Sequence, residues 1–335
     1  MSRFFCPQGY QPVLDIYDTQ TAIGLLHSTF EEKLCLALNL KRVSAPLFVD
    51  PNTGANDDLS GVERPVTFEV KETGKDAAVV HSLAKWKRLA LKQYNFGVGE
   101  GLYTDMNAIR RDEEMDNLHS IYVDQWDWEK IITPATRNLD YLKTVVRCIV
   151  GAVCETLDVL KCRYPQLTVE LSRDVVFVTS QELEDRYPTL TPKERENRFV
   201  RDYKTVFVIG IGDKLKSGVP HDMRAPDYDD WALNGDILFW DDRLGCALEI
   251  SSMGIRVDPD SLDRQLTLSG KDDRRKFPYH QALLGGELPL TIGGGIGQSR
   301  LSMLLLDKVH IGEVQVSLWD DDTRSQAAAH HVTLL

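Results

Sequence analysis

Apolar residues recur along this chain at two spacings, one typical of helices and one typical of strands. A spacing of three to four residues from Ile23 to Leu38 predicts an amphipathic helix over about 20–39. A long apolar helix is predicted from Asn138 to Cys162, and a shorter one from Leu83 to Tyr94. Thr191-Pro192-Lys193-Glu194 has the pattern of a capping box with proline at the first helical position, so another helix is predicted to begin there.

Shorter segments, either alternating or continuously apolar, predict strands. They are 43–49, 66–70, 77–80, 121–128, 175–179, 205–211, 289–292 and 314–318. Two further segments, 236–240 and 246–250, are predicted to pair as a hairpin. Strands and helices follow no regular βαβ order, and no repeat or linker divides the chain. The pattern therefore predicts one α+β domain over 1–335 with a largely antiparallel sheet, and 1–15 as an extra N-terminal segment.

Composition narrows the class of protein. The chain has 335 residues, of which 42% are hydrophobic and 27% charged, an ordinary globular mixture. A net charge of −12 argues against nucleic acid or an anionic membrane as a partner. No apolar run is long enough for a transmembrane helix, and the N-terminus lacks the core of a signal peptide, so we expect a cytoplasmic protein. The six cysteines form no Cys-x-x-Cys pair, which indicates reduced thiols rather than a zinc site.

Four glycines lie within five positions at 293–297, between a predicted strand and an apolar predicted helix. Glycines at a strand-to-helix turn allow close approach of a ligand, and the start of a helix favours anions. Arg300 would lie in the first turn of that helix, where a cation is unfavourable unless a polyphosphate is bound. The spacing fits neither a P-loop nor a Rossmann fingerprint and leaves Gly-x-Gly-x-x-Arg at 295–300. The alternative is a glycine-rich turn with a solvated arginine.

Acidic residues stand at positions where carboxylates could act together. Gln125 and Asp127 would share one face of a strand and point into one pocket. Asp236 and Glu249 would face each other across the predicted hairpin, and oxygen ligands of this kind suit Mg²⁺. Each acid taken alone could be a solvated loop or turn residue. Glu249 fits this alternative least, because it stands inside an apolar strand, where a buried acid needs a partner. Together with the arginines and the glycine-rich stretch, these acids indicate ATP and a small amine-bearing substrate.

Several long segments, in this order, resemble the ammonia-dependent asparagine synthetases, or aspartate–ammonia ligases. They are Asp57-Asp58-Leu59-Ser60-Gly61, 81–88, 99–104, 122–129, 224–231, 234–238, 251–258 and 293–300. Gly-x-Gly-x-x-Arg is also similar to the third signature motif of class II aminoacyl-tRNA synthetases. The resemblance runs from about residue 20 to the end of the chain. It implies a class II synthetase-like catalytic domain, with an antiparallel sheet flanked by helices, in a homodimer.

The resemblance also implies roles for individual residues. Arg110 would lie at the α-phosphate of ATP and Arg300 at the adenine and γ-phosphate side, and both would be catalytic. The nucleotide-binding glycines would be Gly293, Gly294, Gly295 and Gly297, and the Mg²⁺ acids would be Asp236 and Glu249. The aspartate pocket would comprise Asp57, Ser82, Lys87, Gln125, Asp127, Asp229 and Ser251, with Asp57 and Lys87 also catalytic. Whether Asp57 handles ammonia or the substrate's α-amino group stays open.

The function so implied is a ligase that makes L-asparagine from L-aspartate, ammonia and Mg·ATP through a β-aspartyl-adenylate, releasing AMP and pyrophosphate. A tRNA-charging relative would need an anticodon-reading domain and a basic face, for which the chain has neither room nor charge. A non-catalytic regulator would be expected to lack Arg110 or Arg300, and both are present. A glutamine-dependent enzyme would need an N-terminal cysteine, whereas Ser2 follows Met1.

Overall fold

The computed structural model describes residues 4–57, 59 and 63–335 of the chain. Asp58, Ser60 and Gly61 of the first family-like segment lie outside this part. The helices are α1 (Ile16–Leu38), α2 (Ala84–Gln93), α3 (Leu139–Arg163), α4 (Ser180–Arg186), α5 (Pro192–Tyr203), α6 (Pro259–Leu268), α7 (Pro278–Leu284), α8 (Gln298–Leu305) and α9 (Asp321–Ala329). The strands are β1 (Leu40–Arg42), β2 (Phe48–Val49), β3 (Thr67–Val70), β4 (Lys75–Val79), β5 (Gly101–Ile109), β6 (Tyr122–Ile131), β7 (Val176–Thr179), β8 (Thr205–Ile209), β9 (Asp229–Asp241), β10 (Cys246–Arg256) and β11 (Thr291–Gly297).

The large sheet has the strand order β1-β5-β6-β11-β10-β9-β8-β7, and β2, β4 and β3 form a smaller sheet beside it. Within the large sheet, β1 pairs with β5 and β7 pairs with β8 in parallel, whereas the pairs from β5 to β8 are antiparallel. The prediction of an α+β fold with a largely antiparallel sheet flanked by helices is therefore confirmed. Among the described residues, every helix is too short or too polar to cross a bilayer.

Strand alternation in β6 separates the two faces of the sheet. Trp126 and Trp128 are fully buried in the main core, against apolar residues of α1 and α3. The residues between and beside them, Gln125 and Asp127, line a cavity on the opposite face. One strand thus supplies the core with its aromatic side chains and the cavity with its polar ones.

The glycine-rich stretch forms strand β11 itself, which corrects the prediction of a strand-to-helix turn there. Residues 291–297 pair with β6 on one side, and 292–296 pair with β10 on the other. The reason for the glycines is steric: a Cβ on Gly295 would collide with the Gln125 amide, and one on Gly294 would lie 2.5 Å from the Met253 Cβ. Arg300 does lie in the first turn of α8, as predicted.

Other predictions about secondary structure need correction. The segment 314–318 is not a strand, and Val316 and Leu318 are exposed in an irregular stretch. Strands β1 and β5 and helices α4, α6, α7 and α9 were not predicted, and only 48–49 of the predicted strand 43–49 form a strand, β2. Helix α2 begins at Ala84 rather than at Leu83, which is its N-cap, and the Ser82 hydroxyl accepts a hydrogen bond from the Ala84 N–H at 3.1 Å.

We expect Gly293→Ala to lower the free energy of unfolding by about 1–3 kcal/mol, the usual cost of overpacking. The added methyl would lie 2.6 Å from the Trp128 carbonyl oxygen and against the buried Arg256 and Glu129 side chains. Gly24→Ala in α1 is the matched control, because no described atom outside the surrounding helix lies within 4 Å of its added Cβ. There we expect stabilisation of about 1 kcal/mol, since alanine favours helix over glycine. Equal urea-unfolding curves for both variants would contradict this explanation of the glycine strand.

Candidate active site

A cavity of about 270 Å³ lies on the polar face of the central strands β6, β11, β10 and β9. Loops before β3, after β5 and before β9 complete its walls. Most of the residues that the sequence nominated meet there. They are Asp57, Ser82, Arg110, Gln125, Asp127, Asp229, Asp236, Glu249, Gly294, Gly295, Gly297 and Arg300.

Three nominated residues lie outside the wall of the cavity. Ser251 is buried in β10 with a hydroxyl that has no hydrogen-bond partner among the described residues, and its neighbour Ser252 lines the cavity instead. Gly293 lies beneath Glu129 and Arg256. Lys87 is fully buried behind the wall. These three can reach a ligand only through their neighbours.

Arg256 is the centre of a buried ion network at one end of the cavity. Its Nε and Nη2 donate to Glu129 Oε2 at 3.0 and 2.8 Å, and its Nη1 donates to Asp229 Oδ1. Burial opposes the charge on the guanidinium, but Glu129 and Asp229 outweigh it and raise the pKa of Arg256. Thr291 satisfies the second oxygen of Glu129 at 2.7 Å. The network holds the Arg256 guanidinium in the wall of the cavity, with a carboxylate on each side of it.

Lys87 forms a buried ion pair with Asp127. Its ammonium donates to Asp127 Oδ1 and, at 3.1 Å, to the carbonyl of Gly294. Burial lowers the pKa of Lys87, and the charge of Asp127 works against that shift. The second oxygen of Asp127 accepts from the backbone N–H of Leu83 at 3.3 Å. Lys87 therefore holds the Asp127 carboxylate in place at the cavity wall.

Asp236 and Glu249 are joined by one serine rather than facing each other directly. The β9–β10 register places Asp236 opposite Ser252, with an irregularity between Glu249 and Ser251. The Ser252 hydroxyl bonds to Asp236 Oδ1 at 2.7 Å and to Glu249 Oε1 at 3.0 Å. Arg224 Nη2 donates to the same Asp236 oxygen at 2.6 Å.

The charges around these two acids differ. Burial raises the pKa of Asp236, and the negative charge of Glu249 adds to the rise although Arg224 opposes it. Burial would also raise the pKa of Glu249, but Arg300, Lys193 and Arg224 lower it below its ordinary value. No group of three metal-ligating side chains occurs among the described residues. Two carboxylates on one wall fit Mg²⁺, which is commonly held by one or two carboxylates together with substrate phosphates.

Two of the arginines that line the cavity are held loosely. Arg110 approaches Glu113 at 3.9 Å. Arg300 donates from Nη1 to the Glu249 carbonyl at 3.1 Å and from Nε to the Leu118 carbonyl at 3.4 Å. Neither has the close, two-acid pairing of Arg256, so both guanidinium groups retain donors for an anionic ligand.

Asp57 lines the cavity from the loop before β3, and the residue is buried, with 5% of its surface exposed. Its Oδ1 accepts from the backbone N–H of Leu59 at 3.1 Å, and its carbonyl contacts the ring of His81. The sequence nominated Asp57 but did not nominate Arg224, Ser252, Arg256 or Glu129. Arg224, Ser252 and Arg256 belong to segments that carry the family resemblance, and Glu129 is the last residue of another such segment. The resemblance of the segments could therefore have identified these residues, whereas their residue types alone could not.

Comparison with known proteins gives a consistent result. The profile of the family described as aspartate-ammonia ligase matches residues 17–331. An aspartate–ammonia ligase of Ruminiclostridium cellulolyticum is 58% identical over 336 residues, covering 100% of both chains. One from Lactobacillus johnsonii is 56% identical over 331 residues, covering 98% of each.

Two solved structures with the same fold are much more distant in sequence than these relatives. Asparaginyl-tRNA synthetase from Pyrococcus horikoshii, complexed with asparaginyl-adenylate, superposes with a TM-score of 0.68 at 18% identity, covering 90% of this chain and 68% of the other. The Entamoeba histolytica enzyme in complex with asparaginyl-adenylate gives 0.64 at 14% identity, with 89% and 66% coverage. The fold is that of the class II aminoacyl-tRNA synthetases.

We expect Lys87→Met to lower the free energy of unfolding by about 3–5 kcal/mol, because the Asp127 carboxylate would stay buried without its partner. Lys41→Met is the matched control, since Lys41 pairs with Glu100 at 2.9 Å on the surface. That change should cost no more than about 1 kcal/mol. Chemical denaturation of both variants measures the difference, and equal losses would show that the buried pair has no special structural role.

Proposed function

This chain belongs to the aspartate–ammonia ligase family and is therefore an enzyme that joins ammonia to aspartate, and we propose that it does so through a β-aspartyl-adenylate made from Mg·ATP. The side-chain carboxylate of aspartate attacks the α-phosphorus and pyrophosphate leaves. Ammonia then attacks the acyl carbon, AMP leaves, and a proton is lost from nitrogen. The observation that carries the proposal is one cavity lined both by loosely held arginines and by Arg256 and Asp229 of the buried ion network.

We assign four residues that line the cavity to its nucleotide end, namely Arg110, Arg300, Asp236 and Glu249. Guanidinium groups with free donors bind phosphate oxygens and stabilise the charge that develops at the α-phosphorus. The two carboxylates would hold Mg²⁺, which supplies charge neutralisation for the phosphates. The Pyrococcus horikoshii relative in fold has asparaginyl-adenylate bound, and this supports an adenylate on this scaffold.

The amino-acid end is lined by Arg256, Gln125, Asp127 and Asp229 beside Asp57 and Ser82. A free amino acid carries one ammonium and one α-carboxylate besides its side chain, and this end offers acids and one guanidinium. Arg256 matches the α-carboxylate, and the acids match the α-ammonium group. Lys87 would act by holding Asp127, because its ammonium lies behind the wall. Catalysis would rest on positioning and charge stabilisation rather than on a protein nucleophile.

Asp57 keeps two roles in this proposal. Its carboxylate could hold the ammonium ion and accept its proton, or it could bind the α-amino group of aspartate. Asp57 lines the same cavity as Ser82 and Tyr228, and this position is compatible with either role. The homodimer, the cytoplasmic location and the absence of a nucleic-acid partner stay predictions.

An assay that omits one component at a time tests the proposed function. With Mg²⁺, ATP, aspartate and ammonium present, we expect asparagine, AMP and pyrophosphate in equal amounts. Omitting aspartate should abolish pyrophosphate release, and glutamine should not replace ammonium, because the reaction needs free ammonia. ADP and phosphate as products, or full activity with glutamine in ammonia-free buffer, would contradict the proposal.

We expect Asp236→Asn and Glu249→Gln each to raise the Mg²⁺ concentration needed for half-maximal activity by about tenfold, the effect of losing about 1.4 kcal/mol of binding. Each change removes one negative oxygen ligand from the site. Asp241→Asn is the matched control, because Asp241 is a buried aspartate on the same strand β9 but does not line the cavity. Unchanged Mg²⁺ titrations for both site variants would assign these acids to the fold or to the amino acid instead.

A further inference from the structure

Asn117 joins three segments of the chain that are far apart in sequence. Its Oδ1 accepts from the Phe5 N–H at 2.7 Å, and its Nδ2 donates to the carbonyls of Phe5 and Val309 at 2.7 and 2.6 Å. Its own carbonyl accepts from the Ile311 N–H at 2.8 Å. Asn117 is 7% exposed, and its bond to the Val309 carbonyl is fully buried, where an unmade bond is costly.

The loop that carries Asn117 connects β5 to β6 and forms part of the cavity wall. Arg110 begins this loop, and Glu113, Leu118, His119 and Ser120 line the cavity after it. The Leu118 carbonyl, one residue from Asn117, accepts from Arg300 Nε at 3.4 Å. The backbone at Asn117 therefore bears on the position of Arg300.

The two segments that contain the partners of Asn117 are also bonded to each other. Tyr10 donates from its hydroxyl to Glu313 Oε2 at 2.8 Å, and Lys308 donates to the Leu14 carbonyl at 3.1 Å. Phe4 and Tyr10 are buried with Val309 and two apolar residues of the C-terminal region. Residues 4–14, which the sequence left without a role, thus form a strap held against the segment 308–313.

We propose that Asn117 is a positioning residue for the nucleotide, and that the strap of residues 4–14 is part of the nucleotide site through it. The inference rests on the proposed function, in that it takes the Arg110 and Arg300 end of the cavity as the place where ATP binds. Asn117 touches no substrate. Its hydrogen bonds fix the β5–β6 loop in the position in which the Leu118 carbonyl contacts Arg300 and the loop forms part of the cavity wall.

The test uses Asn117→Asp and Asn117→Ala in the full-length protein. Asp keeps the acceptor for Phe5 but places a negative charge against two carbonyls, and Ala removes all three side-chain bonds without adding charge. Asn197→Asp is the matched control, because Asn197 Oδ1 accepts from the Ala247 N–H at 2.7 Å and its side chain does not line the cavity. The KM values for ATP and aspartate are measured separately, well below the melting temperature. Calorimetry then gives the Kd of α,β-methylene-ATP without aspartate.

We expect the KM for ATP and the Kd of the analogue to rise about tenfold in both variants, a change typical of losing one or two buried hydrogen bonds. The KM for aspartate should stay within about twofold. Asn197→Asp should match the wild type in both, since its described hydrogen bond goes to the Ala247 N–H and not to the loop. A rise in both KM values together, or in neither, would overturn the inference. Failure of both variants to fold would overturn it too, because Asn117 would then serve the whole domain. If the wild-type protein itself releases no pyrophosphate from ATP and aspartate, the proposed function fails instead.

Discussion

The buried ion network of Arg256, Glu129 and Asp229 is the interaction on which the rest of the site depends. It joins three strands, β10, β6 and β9, across the face of the sheet that carries the cavity. Space for it exists only because β11, which runs between β6 and β10, has glycine at position 293. Burying these charges is favourable only when each has its partner, so the network and the glycine strand require each other.

The ion network also distinguishes the two ends that we propose for the cavity. Acids that are already paired, such as Asp127 and Asp229, are rigid and suit recognition of a small charged substrate. The arginines at the other end are loosely held and retain donors for phosphates. A reaction that transfers an adenylyl group between the two needs both properties in one cavity, because the catalytic gain comes from positioning and from charges placed in advance.

Much of the fold could be predicted from the sequence because periodic segments such as 138–162 carry their own signal. The glycine strand could not, since glycine has low strand propensity and its role depends on side chains from β6. Val314 to Leu318 has the alternation of a strand but lies where no neighbouring strand pairs with it in the described structure.

The site residues were also predictable only as far as local sequence carries the information. Motif segments located the cavity correctly, but an irregularity in β10 exchanged the places of Ser251 and Ser252. The resemblance placed Lys87 in the aspartate pocket, and only the packing of α2 on β6 shows that it is buried behind the wall against Asp127. Asn117 has no motif at all, because its three partners are brought together by the tertiary fold. Spacing along the chain predicts which segments matter, and packing decides which atom of a segment faces the ligand.

The fate of one oxygen atom tests the β-aspartyl-adenylate most directly. The enzyme is given aspartate labelled with ¹⁸O in its side-chain carboxylate, together with Mg·ATP and ammonium, and the AMP is analysed by mass spectrometry. If the carboxylate attacks the α-phosphorus and AMP later leaves from the acyl carbon, each AMP gains one ¹⁸O atom while the pyrophosphate stays unlabelled. AMP without ¹⁸O, or label in the pyrophosphate or in inorganic phosphate, would contradict the account.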